Sequence, residues 1–135
     1  MKLIFWLLLS FLTFSCAKST TDTSATPPAV VDGTTTFTVT SPNGNASYDI
    51  NGMVNPTLTL KRGLTYTFNL TASGHPFYIK TVQSTGTGNA CNDGVTGNGT
   101  QSGTITFVVP AGAPNTLYYN CEPHASMTGT MNITN

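Results

Sequence analysis

The chain has 135 residues, five basic and five acidic side chains and no net charge, and its 26 Thr and 13 Gly supply polarity without ionisation. Charged residues make up 7%, against roughly a quarter in an ordinary soluble domain, which argues against coiled coils, charge-laced helices and a basic groove for nucleic acid. The length suits one compact domain, and Thr, being β-branched, suits a pleated surface.

Residues 1–16, MKLIFWLLLSFLTFSC, place one Lys ahead of a nearly unbroken apolar run. That pattern reads as a secretory signal. The run is well short of the roughly 20 residues that a membrane-spanning helix needs. A small residue directly before Cys16 resembles a bacterial lipobox, in which the cysteine becomes a diacylglycerol-bearing N-terminus. The alternative is an ordinary signal peptide that discards Cys16. Residues 17–35 hold little that a core needs and read as a flexible spacer, with a reach of about 20 to 25 Å. The expectation is an exported, periplasmic or cell-surface protein, lipid-anchored through Cys16.

From residue 36 to residue 135 the dominant period is two, the strand period. Phe37 and Val39 alternate with Thr, and Tyr48 with Ile50 follow a turn-like Pro42, Asn43, Gly44, Asn45. Leu58 and Leu60 precede Lys61, Arg62 and Gly63, after which Tyr66, Phe68 and Leu70 resume the alternation; this predicts a hairpin. His75, Phe77 and Ile79 share one face of the next strand. A long polar stretch over residues 83–103 shows no period, and loops of that length are usually functional. Ile105, Phe107 and Val109 form the next strand, then Leu117, Tyr119 and Cys121, then Met127, Met131 and Ile133. No segment carries a helical face. The expectation is an all-β sandwich of about seven or eight strands.

Only two histidines occur, His75 and His124. The second lies in Cys121-Glu122-Pro123-His124-Ala125-Ser126-Met127, a Cys-x-x-His-x-x-Met motif between the last two strands. One thiolate, one imidazole and one thioether at spacings of three let a tight loop wrap a single ion, and the sulfur donors select a soft metal such as copper. His75 is the remaining candidate for a second imidazole. Two His and one Cys with a weak axial Met form the type 1, or blue-copper, ligand set.

Cys121, His124 and Met127 resemble the C-terminal ligand loop of the cupredoxins, and the short spacing is most similar to that of the amicyanins. A Tyr shortly before the Cys, Pro123 ahead of His124 and Gly129 at the start of the last strand extend the resemblance over residues 36–135. It implies a Greek-key sandwich of two sheets, one copper ion at one end, and one-electron transfer between redox partner proteins, with His124 as the electron gate. One departure bears on chemistry. Many cupredoxins follow the first His with Asn, whose backbone N–H donates to the Cys sulfur, whereas Pro76 has no N–H. Fewer donors should leave the thiolate more electron-donating and lower the reduction potential.

Rival readings stay open at this stage. His75 could be a hydrogen-bonded strand-end residue, Cys121 a buried structural thiol, and Met127 or Met131 a core filler. Cys91, in the long loop, has no assigned role, and a bridge from Cys91 to Cys121 would remove the thiolate. Copper delivery or sequestration would use the same four ligands, and a metal-free adhesion domain would use none. Enzyme chemistry lacks a Ser-His-Asp constellation, paired carboxylates or a phosphate loop. The expected protein is a monomer that carries electrons, binds no nucleic acid and touches a membrane only through its lipid.

Overall fold

A computed structural model describes residues 33–135. The signal segment, Cys16 and the spacer as far as residue 32 lie outside the described residues. Among those described, no helix is long and apolar enough to cross a membrane.

The strands are β1 (Thr36–Thr40), β2 (Asp49–Ile50), β3 (Met53–Val54), β4 (Leu58–Lys61), β5 (Thr65–Thr71), β6 (Phe77–Lys80), β7 (Val95–Thr96), β8 (Ser102–Val108), β9 (Thr116–Cys121) and β10 (Thr128–Thr134), with one 3-10 turn at Gly44–Ala46. They form a six-stranded sheet in the order β3-β2-β1-β5-β8-β7 and a four-stranded sheet in the order β4-β10-β9-β6. The fold is therefore the all-β sandwich expected, with ten strands in place of seven or eight. The strand read from Tyr48 and Ile50 is β2, and the surplus comes from β3 and β7, two residues each, which are too short for alternation to reveal.

Alternation decides which side chains meet between the sheets. Phe37 and Val39 of β1, Phe68 of β5 and Ile105 and Phe107 of β8 face Leu58 and Leu60 of β4, Phe77 and Ile79 of β6 and Leu117 and Tyr119 of β9, all of them fully buried. Phe37 stacks on Phe68 at 4.9 Å, Phe68 meets Phe77 of the opposite sheet at 5.6 Å, and Phe77 stacks on Tyr119 at 5.2 Å. A row of rings thus crosses the sandwich, and offset aromatic pairs add to plain area burial.

The expected hairpin over residues 58–70 does not form. β4 pairs in parallel with β10, while β5 pairs with β1 and β8 in the other sheet. The short turn at Gly63, with φ of +79°, moves the chain from one sheet to the other. A hairpin and a corner between sheets leave the same alternating pattern, because both turn one apolar face toward the same core. Arg62 fixes the corner: its guanidinium donates to the carbonyls of Ala113 and Ile133 and to the side chains of Asn115 and Asn135.

Gly129 sits opposite Tyr119 in the β9/β10 register. A Cβ there would overlap the hydroxyl end of the Tyr119 ring, which cannot retreat because its hydroxyl donates to the Pro56 carbonyl at 2.7 Å and its face is stacked on Phe77. Gly129→Ala is expected to destabilise the metal-free domain by about 1 to 3 kcal/mol through overpacking. Its denaturation midpoint in urea should fall with no change in slope.

Candidate metal centre

Three segments converge at one end of the sandwich: the turn before β6, the end of β9 and the loop from β9 to β10. His75 is set by its own backbone N–H, which donates to the Ala72 carbonyl at 2.9 Å, and by Gly74, whose N–H donates to the Gln101 side chain. Gly74 has φ of +81°, a conformation that glycine adopts without strain. Cys121 ends β9 opposite Phe77 of β6. The ligand loop then closes on itself, with the Cys121 N–H donating to the Met127 carbonyl at 2.8 Å and the Met127 N–H to the His124 carbonyl at 3.2 Å.

This folding brings His75, Cys121 and His124 together. The two Nδ1 atoms are 3.1 Å apart, and the Cys121 Sγ lies 3.8 Å from the Nδ1 of His75 and 3.4 Å from that of His124. A triangle with these sides has its centre about 2.0 Å from every corner, against roughly 2.0 to 2.3 Å for bonds from His nitrogen or Cys sulfur to a first-row metal ion such as zinc. The donor set fits one metal ion.

Burial fits it as well. His75 is 7% exposed, Cys121 and Met127 are fully buried, and His124 is half-buried, between exposed Pro123 and Ala125. Burial, then the neighbouring His124, lowers the pKa of His75 below the ordinary histidine value, which favours the neutral imidazole that a metal needs. Burial pushes the Cys121 thiol up, while hydrogen bonds from the Tyr48 hydroxyl and from the backbone of His124 and Glu122 act in the opposite direction. Cys121 is a free cysteine. The bridge from Cys91 to Cys121 that would have removed the thiolate is therefore absent.

Tyr48 is the residue that sequence reasoning missed. Its fully buried hydroxyl lies 2.9 Å from the His75 carbonyl and 3.1 Å from the Pro76 carbonyl, and its ring packs edge-on against Phe77 at 5.0 Å. The only signal in the sequence is that a Tyr at a core position needs a partner for its hydroxyl; that the partner lies 27 residues on is not readable from the pattern. Pro76 offers no N–H, and its carbonyl accepts from the Glu122 N–H at 3.1 Å.

No protein-family profile and no curated protein matches the chain. Solved structures do. Reduced rusticyanin is 24% identical over 78% of this chain and 83% of its own, with a TM-score of 0.52. Rusticyanin from Thiobacillus ferrooxidans is 23% identical over 89% and 87%, also at 0.52, and a methionine-to-glutamine mutant of rusticyanin gives 21% over 89% and 88%, at 0.53. The chain has the cupredoxin fold. In this cupredoxin fold the two imidazoles and the thiol occupy one end of the sandwich, and two His with one Cys in a plane are the equatorial donors of a type 1 copper site. Met131 is away from that end: it pairs with Leu117, four residues before Cys121, or about 13 Å along the strand at roughly 3.3 Å per residue.

Proposed function

We propose that this protein is an exported one-electron carrier with a single type 1 copper held by His75, Cys121 and His124, with Met127 as a weak axial donor. The observation that carries the reading is the triangle of Nδ1, Nδ1 and Sγ atoms, whose centre is at bonding distance from all three. Copper bound there would supply a Cu(II)/Cu(I) couple. The chain's part is to hold the donors still. His75 is tied to Ala72 and Tyr48, Cys121 to a strand, and His124 to a loop closed by backbone hydrogen bonds, so little rearrangement accompanies a change of oxidation state.

His124 is the donor nearest solvent and is assigned as the electron gate. Exposed Pro123 and Ala125 flank it, so a redox partner protein can approach closely there. The copper protein rusticyanin is among the structurally similar proteins, which supports copper as the metal. The apolar segment over residues 1–16 supports export, with Cys16 as the lipid anchor. A buried, pre-formed donor set favours metal that stays through redox cycles over metal handed to an acceptor.

Adding Cu(II) to the reduced, metal-free domain is expected to give an intense thiolate-to-copper band in the visible at one copper per chain. Tightly bound copper without colour would reject the type 1 assignment. Bleaching by reductant and recovery on oxidation, without loss of metal, would mark a carrier; release of the metal on reduction would mark a delivery protein.

A further inference from the structure

Lys80, at the end of β6, is fully buried, and it is the one Lys, Arg, Asp or Glu side chain among the described residues that is. Lysine is almost never enclosed without partners, and an unpaired ammonium in a protein interior is costly. Here the Nζ donates to the carbonyls of Ser84, at 2.6 Å, and of Gly86, and it lies 5.7 Å from the centre of the Tyr78 ring. Two carbonyls and an aromatic face thus surround its three hydrogens. The cover is the loop that follows β6, which returns along the strand: the Thr81 N–H donates to the Asn89 carbonyl and the Cys91 N–H to the Ile79 carbonyl, each at 2.9 Å.

That loop reaches the metal centre. The Gly86 N–H donates at 2.7 Å to the carbonyl of Glu122, the residue after Cys121. Glu122 is followed by Pro123, so the peptide nitrogen between them has no hydrogen to offer and its carbonyl is the remaining handle. Gln83, on the same loop, donates from its side chain to the Thr128 hydroxyl at 3.1 Å, the residue after Met127. Both ends of the ligand loop are therefore held by the segment that Lys80 gathers. A Met of similar volume would fill the space without an ion to desolvate, so packing alone does not call for a charge.

We propose that Lys80 is a positioning residue for the ligand loop: its ammonium gathers residues 84–86, that turn fixes the Glu122 carbonyl beside Cys121, and the enclosed positive charge favours the reduced metal. The second half of this rests on the copper reading; the first does not. Burial lowers the Lys80 pKa and the nearby Glu122 carboxylate raises it, so the charged form keeps one counter-charge at the site.

Lys80→Met tests both halves. In the metal-free protein, amide exchange at Gly86 is expected to speed up roughly tenfold, since an opening free energy lowered by about 1.4 kcal/mol is a factor of ten. In the copper-loaded protein, the reduction potential should shift downward, and Lys80→Arg should restore part of it. Unchanged exchange at Gly86 would overturn the clamp whether or not copper binds. Faster exchange with an unchanged potential would overturn the electrostatic half. Should Lys80→Met fail to fold, amine-reactive labelling of the wild-type protein decides: Lys80 is expected to stay unlabelled while exposed Lys61 reacts, and equal labelling rates would overturn the proposal.

Discussion

Cys121→Ser is expected to abolish the visible band completely while leaving the fold in place. Serine is nearly isosteric with cysteine. The backbone contacts that set position 121, its pairing with Phe77 and its N–H to the Met127 carbonyl, do not involve the sulfur. The buried hydroxyl would retain Tyr48 and the His124 and Glu122 backbone as neighbours, so the stability of the metal-free domain should change by about 1 kcal/mol or less. What disappears is the soft, charged donor. A hydroxyl neither ionises at neutral pH nor supplies the sulfur orbital from which charge transfer to copper arises. The remaining imidazoles of His75 and His124 would hold Cu(II) more weakly and without intense colour. Absorption and copper stoichiometry on the same sample separate loss of colour from loss of metal. A persisting band would place the thiolate elsewhere in the chain.

The parts of the site that the sequence discloses are those whose partners are local. Cys121, His124 and Met127 fall within one loop, so their spacing alone suggests a common ion. His75 joined them by elimination, because the chain has only one other histidine. Tyr48 and Lys80 were not legible for a shared reason. Each lies at an ordinary alternating position, and what makes it functional is a segment far away in sequence or without any period: the turn at His75 and Pro76 for Tyr48, and the polar loop over residues 81–90 for Lys80. Lys80 lies on the face of β6 opposite Phe77 and Ile79, where solvent is the default, and only the returning loop encloses it.

The same limit explains the fold. Alternation assigned inward faces correctly for Phe37, Phe68, Phe77, Ile105 and Tyr119, since a period of two is a property of each strand by itself. It does not say which strand lies beside which. The turn after Lys61 read as a hairpin because both flanking strands are apolar on alternate residues. The parallel pairings of β1 with β5 and β4 with β10 arise from strands distant in sequence. Two-residue strands such as β3 and β7 carry too few residues to show any period.

Met127→Leu is expected to leave copper bound through His75, Cys121 and His124 and to raise the reduction potential. Met127 is fully buried, and its backbone closes the ligand loop by hydrogen bonds that leucine would keep. The exchange conserves volume, so stability should change by less than about 1.5 kcal/mol. A thioether lone pair stabilises Cu(II), which is electron-poor, more than Cu(I). Removing it therefore favours reduction, with the colour retained because the thiolate remains. Met131→Leu is the control, since Met131 is equally buried but pairs with Leu58 and Leu117 inside the sandwich, about four residues' rise from the donors at roughly 3.3 Å each. Voltammetry of the two variants beside the wild type gives the answer: a rise with Met127→Leu alone supports the axial assignment. A rise with Met131→Leu and none with Met127→Leu would transfer it to the other methionine, and no shift in either would leave a three-donor site with no thioether in it.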